Sequence, residues 1–537
     1  MSRYLTSIAV LLTSLTQLSG CWIEVSVPSG GDVTGGSSGY YCESGQTCAI
    51  EVADMRFSAT FEARPWAGWV FMGWRQDWKY LCGGSQETCT LSTDNPYFPE
   101  DPRLVKLIES DEVFYLQPVF VRGTPTETAI AAVADPALRV CLRTVVDDIR
   151  DVAYAEELPR LECGNLQSLQ GLEVFQGLER LELDDFENEL IDLSPLQALV
   201  RLRTLALVGN GDDDTFRDTS HLGEQLTAMP DLESLDLSRN AIDDLSPLAV
   251  ALAQLKRLTQ LNLFANQISD LRPLSALHKL TSLNLLGNQI EDIGPLAAMT
   301  RLRFLELSGN SITDLRPLAE LKELTTLNTI GSPIDDISPL QGLQQLQFLN
   351  LSGGNIDNLA PLQSLTALEV LRLKRNQISE VDSLAGLNRL TWIELAGNAI
   401  EDIGGLADLT RVEYLDLGEN ALRDLGPLAG MIGLQELNLN QNRIVDVGPL
   451  AGLDNLRELS LGGNEIVDVS PLTDLAGLDF LDLRENAISE VGDLANSLSP
   501  GAILLLSGNP LSCGEIDRLL SEKQLSVVYH PLPAECT

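Results

Sequence analysis

The sequence predicts an α/β solenoid: a horseshoe with a parallel sheet on its concave face and 3-10 or irregular segments on its convex side, preceded by a small disulfide-bonded all-β module. Three observations predict it. Leucines at 258, 280, 302, 324, 346, 368, 390, 434, 456 and 478, with Val412 in the same series, stand 22 residues apart. Aromatic residues crowd into the stretch before that array. With Cys21 set aside, the eight remaining cysteines all fall outside its main block. A chain of 537 residues exceeds what one compact core supports, and an array of repeats resolves that excess.

Each unit reads L-x-x-L-x-L-x-x-N-x-I/L-x-D-I/L/V-x-P-L. The L-x-L core predicts a short strand with alternate residues facing in and out, and successive strands stack in parallel. Proline at 273, 295, 317 and 339 cannot donate a backbone bond and suits the first turn of a short helix, here too short to be α. Asparagine recurs at 240, 266, 288, 310, 376, 398, 420, 442, 464, 486 and 509. Pointing inward, it would satisfy backbone groups of adjacent turns. Ser332 and Gly354 interrupt this ladder and Thr329 replaces a core leucine, so these two repeats are expected to pack less regularly.

The pattern is identified as the leucine-rich repeat over roughly residues 158–511. Its 22-residue length and D-I/L/V-x-P-L segment resemble the internalin class of bacterial repeat proteins, which implies adhesion or another recognition role. The array proper is expected over 178–511, after a cap and a degenerate first repeat over 136–177. An acidic insertion at 211–218 (GDDDTFRD) is expected to bulge as a loop. A helix near 137–142 and a second one starting at Ser512–Glu515 are expected to cap the ends, the latter within a C-terminal cap over 512–537. Cys141 with Cys163, and Cys513 with Cys536, would pin them.

Residues 37–122 hold Phe57, Phe61, Trp66, Trp69, Phe71, Trp74 and Trp78. Stretches such as FSATFEA and VFYLQPVFV predict strands. The order of cysteine pairs and aromatics is similar to small repeat modules of bacterial surface proteins. Eight cysteines allow 105 pairings, and local placement points to Cys42–Cys48 and Cys82–Cys89. Residues 21–36 read as a tether and 123–135 as a linker.

The first twenty residues carry one early charge, Arg3, and an apolar run at 8–12 too short to span a bilayer, as in a secretion signal. The ending Leu18-Ser19-Gly20-Cys21 resembles the lipobox of bacterial lipoproteins. That resemblance implies acylation of Cys21 and anchoring in the cell envelope. Trp22 after the cysteine, where aspartate would favour inner-membrane retention, implies the outer membrane, with periplasmic and surface orientations both open.

With 36 Lys+Arg against 77 Asp+Glu, the net charge of −41 argues against nucleic acid and against charge-held binding to anionic lipid. His221, His278 and His530 are scattered, and no H-E-x-x-H, G-x-S-x-G or Gly-Lys-Ser/Thr loop occurs, so no enzyme and no cofactor are expected. Aspartates at 244, 270, 292, 314, 336, 402, 424, 446 and 468 repeat with the array. They read as acceptors for turn backbone rather than as a metal ladder.

The concave face can be read from the repeat register. Phe304, Phe348, Trp392, Tyr414 and Phe480 stand at the third position, Arg372, Glu394 and Asp416 at the fifth, and Lys374 at the seventh, with Arg375 beside it. Exposed aromatics beside arginine have the composition of an interface hot spot. The expected partner-binding set is Phe304, Phe348, Arg372, Lys374, Arg375, Trp392, Glu394, Tyr414 and Asp416, facing a protein with an acidic patch. Arg372 and Lys374 read equally well as counter-charges for Glu394 and Asp416. The alternatives are an envelope-structural role, glycan binding by Trp392 and Tyr414, and a carboxylate-based hydrolase in the N-terminal module.

Overall fold

A computed structural model of the chain describes residues 21–528 apart from 36–38, 53–57, 76–78, 83–87, 93–112, 150–151, 187–191, 211–218, 495–497, 500 and 522–525. The expected signal segment over 1–20, Phe57, Trp78, the acidic insertion, His530 and Cys536 lie outside the described residues. The chain divides into two compact units, one built on the N-terminal module and one on the array.

In the module, Cys21–Ser26 pairs antiparallel with Thr47–Val52 and parallel with Val113–Leu116. A second sheet orders Tyr41–Cys42, Gly31–Thr34, Ser58–Pro65 and Cys89–Ser92, and Trp69–Trp74 pairs with Pro118–Arg122. Ile23, Val25, Val33, Phe61, Trp74, Phe114 and Leu116 form one buried core. The expected Cys42–Cys48 and Cys82–Cys89 disulfides are both present.

Two expectations are corrected here. Residues 21–36 are no tether: they contain two strands, because Ile23, Val25 and Val27 alternate with polar residues and bury one face. Residues 123–135 are no open linker either. They contain the helix Thr126–Ala132, an alanine-rich run of high helical propensity that buries Ala129 and Ile130. Ahead of it, the Thr124 backbone N–H donates to the Glu156 carboxylate at 2.9 Å.

In the array, 17 strands from Arg160–Gly164 to Ser526–Val528 form one parallel sheet in strict chain order. The 22-residue spacing sets the register, so Leu371 lies opposite Ile393 and Arg372 opposite Glu394. Short 3-10 turns, commonly with proline in their first positions, return the chain between strands. Core leucines and isoleucines are fully buried throughout, as at Leu371, Leu373 and Ile378.

The polar ladders work as expected. Asn288 donates from Nδ2 to the carbonyls of Leu263 and Leu285, and its Oδ1 accepts the Ile268 N–H. One amide thus ties two turns, and each bond contributes about 1 kcal/mol. The aspartates accept the backbone N–H two residues on: Asp270 from Arg272, Asp292 from Gly294, Asp468 from Ser470. The Ser470 backbone bond, with the Ser470 hydroxyl, holds the Asp468 carboxyl below the usual range.

At Thr329, Ser332 and Gly354 the strand register is unbroken, so the expected irregularity is not geometric. It is polar: the buried Thr329 hydroxyl has no hydrogen-bond partner among the described residues.

The residue before each ladder asparagine takes a left-handed conformation. Glycine fills it at 287, 309, 397 and 463, whereas Ala265, Arg375, Glu419, Gln441 and Glu485 adopt it with φ of 52–55°.

The caps fold as helices Pro136–Ile149 and Cys513–Ser521, with Cys141–Cys163 bridged. Cys513 is disulfide-bonded as well. The buried Asp135 caps the first helix, accepting from Ala137 and Leu138 with one oxygen and from Gln167 and Ser168 with the other.

Candidate partner-binding face

The alternation of an L-x-L strand sends its third, fifth and seventh residues out onto the concave sheet. Parallel in-register pairing then aligns them in rows: Phe348, Val370, Trp392 and Tyr414 in one, Asn350, Arg372, Glu394 and Asp416 in the next. The structure brings seven of the nine expected residues into one cluster on four consecutive strands. Phe304 lies two strands before Phe348, 38% exposed. Arg375 stands at the rim in its left-handed turn, exposed.

Within the cluster the aromatic rings are stacked. Trp392 and Tyr414 lie 3.7 Å apart between centroids with planes 4° from parallel. The Arg372 guanidinium, from the preceding strand, sits 5.5 Å from the Trp392 ring and 5.5 Å from the Phe348 ring. The Trp392 indole N–H donates to Glu394 Oε1 at 2.7 Å, which fixes the ring in plane.

The charges are paired beneath the rings. Lys374 Nζ lies 2.9 Å from Asp416 and 3.2 Å from Glu394, and Arg372 Nε is 3.4 Å from Glu394. Arg372 Nε has no hydrogen bond to match that ion pair. Asp416 and Glu394 are almost wholly buried. Burial works against the Lys374 charge, but the bond and attraction from Asp416, then Glu394, outweigh it and raise its pKa. Burial likewise pushes the Tyr414 phenol up, helped by Asp416. The cations serve as internal counter-charges; Arg375 alone of the three forms no ion pair among the described residues.

Two features of this face escaped the sequence reading. A hollow of about 470 Å³ lies over the seventh and eighth positions from Lys374 to Glu485. Its floor is low because Ala396, Gly418 and Gly462 leave room where longer side chains would stand. A Cβ at Gly418 would come within 3.0 Å of Asn438 Nδ2. The run of small residues was the available signal. In addition, Glu436 and Glu458 face each other across adjacent strands. Among the described residues neither forms an ion pair, and no group of three or more His, Cys, Asp or Glu is arranged to hold a metal.

Leucine-rich repeat family models match residues 228–246, 256–298, 300–342, 344–400 and 432–474. An internalin from Listeria monocytogenes is 30% identical over 67% of this chain and 98% of its own, with a TM-score of 0.52. A leucine-rich repeat protein of Leptospira interrogans is 23% identical over 70% of this chain and 90% of its own, TM-score 0.55. A plant peptide hormone receptor, RGFR1, in complex with RGF2, is 18% identical over 70% of this chain and 78% of its own, TM-score 0.50. The latter two are likenesses of fold alone. No curated protein matches the sequence.

Proposed function

The chain belongs to the leucine-rich repeat family, and from that premise we propose that it is an exported, lipid-anchored recognition protein of the bacterial cell envelope that docks a protein on its concave sheet. The observation that carries this reading is the Phe348–Arg372–Trp392–Tyr414 cluster. Its rings and guanidinium are held in place by stacking and by buried carboxylates before any partner arrives. Preorganised aromatic and arginine side chains lower the ordering cost of association.

Glycan binding is the weaker reading. Stacking on a sugar needs a free ring face; Trp392 has Tyr414 on one side and Arg372 on the other, which leaves only the far face of Tyr414 for a sugar. An acidic partner is also less favoured, since Glu394 and Asp416 already neutralise Arg372 and Lys374. Anchoring rests on Cys21, which opens a strand; a lipid there would hold the module directly at the membrane.

The test is capture from envelope extracts, with the retained protein identified by mass spectrometry. Phe348→Ala, Tyr414→Ala and Arg375→Glu should each reduce recovery of the same species. Lys374→Glu is a poor probe, because it would add a third carboxylate beside Glu394 and Asp416. Recovery unchanged in all three variants rejects the concave face. Labelling with an azido fatty acid, lost in Cys21→Ser, tests the anchor.

A further inference from the structure

The concave sheet is not uniform along its length. Over the three strands from Phe304 to Phe348 it displays apolar side chains among polar ones: Phe304 is 38% and Ile330 42% exposed, with Phe348 on the next strand. Its middle is the ion-paired cluster, where positive and negative charges cancel. Beyond Tyr414 the third-position row runs Tyr414, Glu436, Glu458, Phe480 on consecutive strands. The two carboxylates stand directly opposite, a destabilising arrangement in a sheet. Burial, and then Glu458, pushes the Glu436 carboxyl above its usual range. This stretch of the face therefore carries negative charge with no ion pair among the described residues, between two aromatic rings whose strands are about 14 Å apart.

We propose that the docked protein lies along this sheet in one direction, with an apolar segment over Phe304, Ile330 and Phe348 and an arginine-bearing segment between Tyr414 and Phe480. The proposal rests on the concave-face reading and deepens it by naming the partner's chemistry and polarity. Charge complementarity selects a cation at the Glu436–Glu458 end. Arginine suits it because a planar guanidinium can pair with a carboxylate and stack on the one ring beside it at once. A second copy of this chain is a poor occupant, since its own net charge is −41. From Phe348 to Glu436 is four strand spacings, about 19 Å, which about six residues of extended chain span.

The experiment uses the full chain and a fluorescein-labelled nine-residue peptide with three leucines at one end and three arginines at the other, beside its glutamate counterpart. The arginine peptide should bind and the glutamate peptide should not. Glu436→Gln with Glu458→Gln should weaken binding about tenfold. The control pair Glu380→Gln with Glu401→Gln, exposed residues off the strands, should change it less than about twofold. Equal weakening by both pairs would mean attraction to the acidic chain as a whole and would overturn the proposal. So would absence of arginine-peptide binding. If Phe348→Ala weakens binding and the Glu436/Glu458 pair does not, the concave face stands and its polarity falls. Thermal unfolding of each variant separates a lost site from a lost fold.

Discussion

Trp392 and Tyr414, on adjacent strands of a parallel sheet, stack with centroids 3.7 Å apart and planes 4° from parallel. The 22-residue period creates this pair: it places the third residue of each repeat beside the third residue of the next. The stack is structural as well as displayed, so it should have a measurable energy of its own. A double-mutant cycle with Trp392→Ala and Tyr414→Ala, read by chemical denaturation, should give a coupling of about 1 kcal/mol.

Lys374 sits between two carboxylates that are otherwise buried. Lys374→Met leaves Asp416 without its cation and Glu394 with Arg372 alone, and with Lys374 a third exposed the cost should be about 1–3 kcal/mol at pH 7. The folded pKa of Lys374 is raised above 10.5, so the stability it contributes is present below that value and is lost as pH rises through the folded value. Wild-type and variant curves should converge at the alkaline end of the pH range.

Thr329 occupies a leucine position with its hydroxyl unpartnered among the described residues. Thr329→Val keeps the shape and removes the buried hydroxyl, and should raise stability by about 1 kcal/mol. A melting temperature below wild type would show that the hydroxyl is satisfied after all.

Asp135 receives four backbone N–H bonds at the start of the cap helix. Burial opposes its charge, but these donors outweigh that and hold its pKa below 3.8. Its contribution is present above the unfolded value and lost as pH falls through the folded one. Asp135→Asn should cost about 1–2 kcal/mol at neutral pH, with the two unfolding curves drawing together below about pH 4. A deficit constant down to pH 2 would contradict the charge-dependent part.

Glu419 holds a left-handed turn that glycine fills in other repeats, with φ of 55°. Glu419→Gly should relieve about 1 kcal/mol of strain, offset in part by the greater freedom of glycine in the unfolded chain. Calorimetry should show a melting temperature unchanged or slightly raised; a clear fall would assign the glutamate a stabilising contact.

The array was legible because its signals are periodic: one leucine, asparagine or aspartate recurs until its register fixes which face each neighbour occupies. The rows containing Arg372, Trp392 and Tyr414 follow directly from that register. What was not legible depended on distance across strands. The register offered Lys374 equally as a docking cation and as a counter-charge for Glu394 and Asp416, and choosing between them needs side-chain reach; the hollow over Gly418 and Gly462 is made by missing side chains. In the module, Gly/Ser composition after Pro28 hid the alternation of Ile23, Val25 and Val27. The helix Thr126–Ala132 was hidden by flanking Gly-Thr-Pro, though its own alanines favour it.

Docking on the concave sheet is tested most directly by hydroxyl-radical footprinting of the chain with and without the captured partner. Partner binding should lower oxidation at Phe304, Phe348 and Tyr414, and leave exposed convex-side residues such as Val445 and Val467 unchanged. Protection confined to the convex side, with the three concave aromatics oxidised at the free-chain rate, would contradict it.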